Sequence, residues 1–201
     1  MVTVILVRHG ETEWNKTRRL QGCGSNTGLN QRGKQHAESL ALRLKSERIQ
    51  AIYSSPLKRA MDTARAIAHY HRLTVDVEPA LREMDIGELE GISVSQTGNL
   101  IDQYTTALLQ GNKMPGGESL PEVQQRVWST IQRLANQHSG GGIVVVTHFF
   151  PILTIICSVL DLPLSQIGRL KLVPGSITIL SFEEKVQRLA LFNETYHLTS
   201  N

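Results

Sequence analysis

Hydrophobic residues along this chain form short continuous runs that alternate with segments of helical periodicity. Val2 to Val7 is a β-branched run, which is typical of a strand buried on both faces. The segment from Gln31 to Arg48 then carries apolar residues at helical spacing with charged residues between them, at Ala37, Leu40, Ala41 and Leu44. The chain therefore begins with a predicted strand and a predicted amphipathic helix.

A second strand and a second helix follow in the same order. Ile49 to Tyr53 predicts a strand, because it is a short run with β-branched and aromatic residues. Ser54-Ser55-Pro56 has the composition of a helix start, and it leads into a predicted helix from Leu57 to Tyr70. Strands and helices thus alternate over the first third of the chain.

The strongest helix prediction covers Ser119 to Gln137. Ser119 and Glu122 have the spacing of a capping box, and Pro121 falls in the first turn. One face of this helix is apolar, at Val123, Val127, Ile131 and Leu134. A glycine-rich stretch then ends the helix and leads into a third predicted strand, Ile143 to Thr147.

Two further segments complete the prediction. Ser176 to Phe182 and Val186 to Phe192 are β-rich runs around Glu183-Glu184-Lys185, which indicates a hairpin added to the sheet edge. The stretch from Ile92 to Pro115 is the least regular, and we interpret it as a small cap or loop insertion. We therefore predict an α/β fold of three αβα layers with a mostly parallel central sheet and right-handed crossovers, as a single domain over residues 1–201.

Composition is that of an ordinary globular domain and excludes several function classes. The chain has 201 residues, of which 40% are hydrophobic and 19% charged, which fits one domain with a substantial core. The net charge is +3, but the basic residues are scattered and aromatic residues are only 5%, so no nucleic-acid partner is expected. A modest positive balance suits a small anionic ligand equally well.

The cysteines, the first residues and the apolar run at 143–160 all bear on the cellular location, and all three favour the cytoplasm. Cys23 and Cys157 are the only cysteines and lie far apart in sequence, which indicates a reducing, cytoplasmic setting without disulfides. The first residues lack the pattern of a signal peptide. Ile143 to Leu160 is long enough to suggest a membrane span, but His148 and Pro151 interrupt it, so we expect a buried strand followed by a buried helix and no membrane partner.

Candidate functional side chains follow three of the predicted strands, at the strand end or at the start of the next helix. The first strand ends in Arg8-His9-Gly10, the second leads to Lys58-Arg59, and the third ends in Thr147-His148. In open α/β sheets the ligand crevice lies beyond the carboxyl ends of the strands. Each residue alone is more often an ordinary surface or satisfied polar group. Together they suit a phosphate group, because guanidinium groups donate paired hydrogen bonds to its oxygens. A neutral imidazole can act as a nucleophile toward it.

These residues also carry a family resemblance. The segment LVRHGETEWN at 6–15 resembles the signature of the histidine phosphatase superfamily, in its phosphoglycerate-mutase-like branch. Further blocks follow in the family's order: YSSPLKRAMDTA at 53–64, LREMDIGELEG at 81–91, GGESLPEVQQRV at 116–127, VVVTH at 144–148 and NETYHL at 193–198. The resemblance covers nearly the whole chain and implies a phosphoglycerate-mutase-like fold.

The resemblance also implies roles for individual residues. It makes His9 the nucleophile that becomes phosphohistidine, with Arg8, Arg59 and His148 lining the phosphate pocket and Glu83 as the proton donor and acceptor. Two neighbouring arginines should keep His9 unprotonated, and the proton affinity of Glu83 must lie near working pH. From the residues alone, nearby carboxylates remain alternatives to Glu83, namely Asp85, Glu88 and Glu90.

Softer assignments concern the rim of the pocket. Asn15, Gln21 and Gly22 correspond to family positions that contact phosphate or line its entrance. The following block departs from the usual family spacing, so Ser25, Asn26 and Thr27 remain alternatives for the residue that faces the pocket. Glu11 and Glu13 are expected to be structural or exposed to solvent rather than catalytic.

Phe149-Phe150-Pro151 follows His148, where the family usually has small residues. Pro151 suits the first turn of a helix, whose backbone N–H groups then point at an anion. We expect the two rings to pack into the core. The alternative is that one of the two rings, Phe149 or Phe150, walls the substrate pocket and favours an apolar or aromatic leaving group.

Function follows as an expectation from both lines of reasoning. We expect a phosphomonoesterase that needs no metal and no cofactor and acts on a small phosphorylated metabolite. The short segment between Gly91 and Gly116 favours hydrolysis over a mutase reaction, which usually goes with longer insertions that shield the site. A phosphoglycerate mutase and a non-catalytic phosphate-binding domain are the alternatives. Phosphoserine, sugar phosphates and α-ribazole 5′-phosphate are all candidate substrates, with a slight preference for the last. The edge hairpin also suits a homodimer.

Overall fold

A computed structural model describes residues 1–183 and 186–198. Its strands are β1 (Val2–Arg8), β2 (Ile49–Ser54), β3 (Val75–Val77), β4 (Gly142–Thr147), β5 (Ile177–Glu183) and β6 (Val186–Glu194). Its helices are α1 (Glu13–Lys16), α2 (Gln31–Leu44), α3 (Lys58–His71), α4 (Leu100–Leu109), α5 (Leu120–Asn136) and α6 (Phe149–Val159). Strands and helices alternate as the apolar pattern predicted.

The strands form one mixed sheet in the order β3-β2-β4-β1-β5-β6. The pairs from β3 to β1 are parallel, and β5 and β6 are added antiparallel to β1 as a hairpin at the edge. Every residue of β4 is buried, because this strand lies between β1 and β2 and has helices on both faces. The prediction of a mostly parallel sheet with an edge hairpin is confirmed.

Helices cover the two faces of the sheet and divide the core into two clusters. On one face, α2 and α3 pack through Leu40 and Ile67 against Val144 of β4. On the other face, α5 and α6 pack through Ile131 and Ile155 against the opposite side of the same strands. Alternate residues of β1 and β4 enter the two clusters, as the period of a strand requires. The predicted three-layer αβα arrangement is confirmed.

Two features differ from the prediction. Helix α2 ends at Leu44 rather than Arg48, because the residues after Leu44 are polar and offer no apolar face to bury. Strand β3 was not predicted, since three residues at an exposed edge carry little periodicity, so the strand at 143–147 is the fourth along the chain. Glu184 and Lys185, which the sequence placed between the two strands of the hairpin, lie outside the described residues.

The segment 92–115 is more regular than predicted. It contains the ten-residue helix α4, which begins without a side-chain cap at Asn99. Its buried Leu108 belongs to the core on the α5 side of the sheet. The sequence gives only a weak helix signal here because the helix lacks a cap. Packing against the rest of the domain therefore stabilises α4.

The apolar run from Ile143 to Leu160 is divided between a strand and a helix, as predicted. Strand β4 ends at Thr147 and α6 begins at Phe149, with Pro151 in its first turn. Within residues 1–183 and 186–198, no helix has both the length and the apolar character that crossing a membrane requires.

Candidate active site

His9 and His148 follow adjacent parallel strands, and the register of those strands brings their rings together. Arg8 at the end of β1 pairs with Thr147 at the end of β4, and the His9 N–H donates to the Thr147 carbonyl over 3.1 Å. The imidazole centroids lie 5.1 Å apart, and only 2% of His9 and none of His148 is exposed. The edge of the sheet therefore holds a buried pair of histidines.

One ring nitrogen of His9 is committed to the backbone. Nδ1 lies 2.7 Å from the carbonyl oxygen of Gly10, and a carbonyl can only accept, so Nδ1 carries the proton and donates it. Burial and the positive charges of Arg59 and Arg8 lower the pKa of His9 well below its usual value. The imidazole is therefore neutral at pH 7, and Nε2 keeps its lone pair.

Two arginines lie beside the histidines, Arg59 fully buried and Arg8 half-buried. Nη1 of Arg8 donates to the Leu172 carbonyl over 2.6 Å, and Arg59 donates to the carbonyls of Gly22 and Ser25 over 2.9 and 3.1 Å. Their Nε atoms are buried and have no protein partner. Burial lowers the pKa of Arg8 to about 10, which still leaves it cationic at neutral pH. These groups form a positively charged site with donors to spare, which suits an anion.

His148 is held on one side and unpartnered on the other. Its Nε2 lies 2.7 Å from Oγ of the fully buried Ser55, and its buried Nδ1 has no protein partner. Burial and the charge of Arg59 lower the pKa of His148 well below its usual value. A neutral imidazole donates one hydrogen bond and accepts one, so His148 has a nitrogen available to a ligand.

Glu83 supplies the carboxyl group of the site. It is 4% exposed and accepts hydrogen bonds from the backbone amides of Met84, Phe149 and Phe150 at 2.9, 3.0 and 3.2 Å. Burial raises the pKa of Glu83 above its ordinary value, while the amides and the arginines oppose that shift. The predicted helix N-terminus at Phe149 does point at an anion, and that anion is this carboxylate.

The other three carboxylates of the same block do not line the pocket beside His9. Asp85 accepts from the amide of Gly87, and Glu90 accepts from the amides of Gly22 and Ser25. Glu88 is exposed at the surface. Of the four, Glu83 is the one that lines the pocket beside His9.

A cavity of about 280 Å³ opens in front of these groups. We name it the phosphate pocket after the ligand that the sequence predicts for it. Its walls are Arg8, His9, Asn15, Arg19, Leu20, Gln21, Glu83, Phe149 and Phe150. Arg59 and His148 lie behind this wall and are fully buried. The structure thus brings together most of the residues that the sequence placed at the site.

Some rim residues lie elsewhere than the sequence suggested. The N–H of Gly22 donates to the Glu90 carboxylate rather than into the pocket, and a Cβ there would lie 2.6 Å from that carboxylate. Asn26 accepts from the backbone of Lys58 at the start of α3, and Thr27 accepts from the side-chain amide of Gln21. These contacts shape the loop behind the pocket.

The two phenylalanine rings both pack against the core and line the pocket. Phe149 and Phe150 are half-buried against the core on the α6 side of the sheet, and both also line the phosphate pocket. Their ring centroids lie 5.2 Å apart, edge to face. The guanidinium carbon of Arg8 lies 5.1 Å from the centre of the Phe149 ring, a cation–π contact. The rings therefore fit both the expectation that they pack into the core and the alternative that a ring walls the pocket.

Sequence reasoning missed the residues that support the site. Arg126 donates to the carbonyls of Ala80, Arg82 and Glu83 and to both carboxylate oxygens of Glu118. Glu118 in turn accepts from the amide of Asp85 at 2.8 Å. Glu118 and Arg126 both lie in the segment 116–127, which resembles a block of the family, but the resemblance assigned no role to either residue. Arg19, on the rim, was missed because it follows another arginine in a polar stretch.

In the part of the chain that the structure describes, no group of three or more His, Cys, Asp or Glu side chains is placed to hold a metal ion.

Known proteins resemble this chain over nearly its whole length. A profile of the histidine phosphatase superfamily (branch 1) matches residues 4–195. Phosphoserine phosphatase 1 of Hydrogenobacter thermophilus is 34% identical over 98% of this chain and 95% of its own length. Phosphoglycerate mutase-like protein 4 of Arabidopsis thaliana is 39% identical over 72% of this chain and 65% of its own. The structure of an Entamoeba histolytica phosphoserine phosphatase in complex with 3-phosphoglyceric acid superposes with a TM-score of 0.87, at 31% identity over 98% of this chain and 100% of that one.

Proposed function

This chain belongs to branch 1 of the histidine phosphatase superfamily and is a phosphatase, and we propose that it hydrolyses a small phosphomonoester through a phosphohistidine on His9. The observation that carries this proposal is the hydrogen bond from Nδ1 of His9 to the Gly10 carbonyl. It leaves Nε2 unprotonated and fixes the direction of its lone pair. A nucleophile in this state needs no separate base.

The first step transfers the phosphoryl group to the enzyme. Nε2 of His9 forms a bond to phosphorus while the bond from phosphorus to the ester oxygen breaks. Burial raises the pKa of Glu83, which favours its protonated form, and in that form Glu83 gives its proton to the departing oxygen. Arg8 and Arg59 stabilise the negative charge that spreads over the phosphoryl oxygens, and His148 adds a hydrogen bond from its free nitrogen.

The second step returns the enzyme to its starting state. The Glu83 carboxylate takes a proton from water as the water oxygen bonds to phosphorus and the bond from phosphorus to Nε2 breaks. Inorganic phosphate leaves, and His9 is again neutral. Water reaches the pocket because its rim is open at the exposed Arg19.

Activity therefore requires neutral His9 and protonated Glu83. The pKa of His9 lies well below its usual 6.5, so the acid limb of the pH profile lies below that value. The pKa of Glu83 is raised above 4.5, so activity falls on the alkaline side as pH rises through that higher value.

The substrate is a small phosphorylated metabolite. Relatives named for phosphoserine support hydrolysis of a compact monoester, and a relative named for its likeness to phosphoglycerate mutase makes phosphoryl return to a second hydroxyl the alternative. Preference for α-ribazole 5′-phosphate stays a prediction, based on the aromatic pair after His148.

The test is phosphate release by purified protein from a panel of monoesters, alongside mutase turnover of 3-phosphoglycerate, with His9→Ala as the control. Rapid acid-free quenching after mixing with radiolabelled substrate should trap an acid-labile phosphoenzyme that the variant lacks. Release that persists in His9→Ala would contradict the nucleophile. Mutase turnover without release would make the enzyme a mutase, and binding without turnover would make it a phosphate-binding domain.

A further inference from the structure

A second cavity of about 290 Å³ adjoins the phosphate pocket. The two share part of their walls, namely Leu20, Gln21, Phe149 and Phe150. We name the second one the apolar cavity, and its other walls are Ile86, Leu89, Ile101, Thr105, Leu108, Leu109, Met114, Ile167, Gly168 and Leu170. Its size is at the lower end of the range of small-molecule sites, about 300 to 1,000 Å³.

Among residues 1–183 and 186–198, no charged side chain belongs to the walls of the apolar cavity. Its polar side chains are those of Gln21 and Thr105, and the amide of Gln21 is already bonded to Thr12 and Thr27. An ammonium or carboxylate placed here would lose its hydration without a partner, which is costly. An apolar group placed here would gain from leaving water.

Glu83 is hydrogen-bonded to two of the residues that the cavities share. It lines the phosphate pocket, and its carboxylate is held by the amides of Phe149 and Phe150, whose rings wall both cavities. The ester oxygen that Glu83 protonates must lie within hydrogen-bond reach of that carboxylate. The rest of the leaving group therefore starts at the two rings, with the apolar cavity directly beyond them.

We infer that the physiological substrate is a phosphomonoester whose leaving group carries an uncharged apolar body, and that this body occupies the apolar cavity while the phosphate lies at His9. This inference rests on the proposed function. It makes phosphoserine and 3-phosphoglycerate poor substrates, because their charged groups find only the exposed Arg19 at the rim of the pocket.

A homologous series of alkyl phosphates isolates the contribution of the apolar cavity. Ethyl, butyl and hexyl phosphate have nearly the same leaving-group chemistry and differ in apolar length. Each methylene that enters the cavity should raise kcat/KM by about fourfold. The wild-type protein should therefore prefer hexyl over ethyl phosphate by about a hundredfold or more, and it should prefer hexyl phosphate over phosphoserine.

Neighbouring threonines on α4 give a matched pair of variants. Thr105 and Thr106 are both exposed, but Thr105 lines the apolar cavity and Thr106 does not. Thr105→Trp should lower kcat/KM for hexyl phosphate at least tenfold and leave that for ethyl phosphate within about twofold, because the indole occupies the space of the alkyl chain. Thr106→Trp should leave the whole series unchanged. Circular dichroism and thermal unfolding check that both variants are folded.

Three results would overturn the inference: a flat alkyl series in the wild type, a preference for phosphoserine over hexyl phosphate, or equal behaviour of the two tryptophan variants. Calorimetric titration of His9→Ala with ethyl and hexyl phosphate measures the cavity without turnover. If no monoester is hydrolysed but hexyl phosphate binds far more tightly than ethyl phosphate, the proposed function fails and the apolar site stands. If hydrolysis depends on His9 but the series is flat, the apolar site fails and the function stands.

Discussion

Replacing Glu83 with Gln removes the proton of the proposed acid and keeps the size of the side chain. An alkyl alkoxide leaves poorly without a proton, so we expect kcat for alkyl phosphates to fall by about 10²- to 10⁴-fold, or about 3 to 5 kcal/mol of transition-state stabilisation. A p-nitrophenolate leaves without protonation, so p-nitrophenyl phosphate should lose less than about tenfold.

The same substitution has a structural cost that can be worked from the contacts. Oε1 of Glu83 accepts from Met84 and Phe150, and Oε2 accepts from Phe149. A glutamine has one oxygen, so its NH₂ group must face at least one of these amide donors. An unsatisfied buried donor costs about 1 to 3 kcal/mol, which lowers Tm by about 2 to 4 °C per kcal/mol in a chain of this length.

Steady-state kinetics on both substrate types, with thermal unfolding of the same preparations, measures both effects. The alkaline limb of the pH profile should disappear in Glu83→Gln, since the raised pKa of Glu83 defines it, while the acid limb set by His9 remains. The exposed Glu88→Gln is the matched control and should match the wild type. Equal losses for alkyl and aryl phosphates would refute the role of Glu83 as proton donor.

Other predictions concern the support of the site. Arg126→Met and Glu118→Gln should be coupled by about 1 to 3 kcal/mol in a double-mutant cycle of denaturant unfolding, because their ion pair is partly buried and bidentate; additive effects would contradict this. Ser55→Ala removes the partner of His148 and should lower kcat/KM about fivefold, with an unchanged fold by circular dichroism; unchanged kinetics would show that the contact is dispensable. Folding lowers the pKa values of His9 and His148, so below about pH 6.5 the unfolded chain binds protons that the folded chain does not. The free energy of unfolding should therefore decrease as the pH is lowered below that value. Urea titrations should show this fall, with a shallower slope in His148→Asn; an equal slope would refute it.

The order of strands and helices was set by the local sequence. Strand β1, strand β4 and helix α5 were predicted to within about a residue or two, because continuous β-branched runs, helical periodicity and a capping box are local signals. The same locality explains the misses. The short strand β3 and the uncapped helix α4 depend on neighbours that are distant in sequence, so their own residues carried little signal.

The chemistry at the strand ends was also visible in the sequence. His9 and His148 follow buried strands, and parallel strands deliver their carboxyl ends to one edge of a sheet. The structure places the two rings 5.1 Å apart for that reason.

From the residues alone Glu83 was one of four neighbouring carboxylates, and the family resemblance favoured it. The physical reason for that selection lies in the tertiary structure. The selection depends on burial and on the amides of Phe149 and Phe150, which lie far away in the sequence at the start of α6. The apolar cavity likewise combines α4 with residues 167–170 and the two phenylalanines. A sequence specifies the residue types of a site, but proton affinity and pocket shape depend on which distant groups surround each residue after folding.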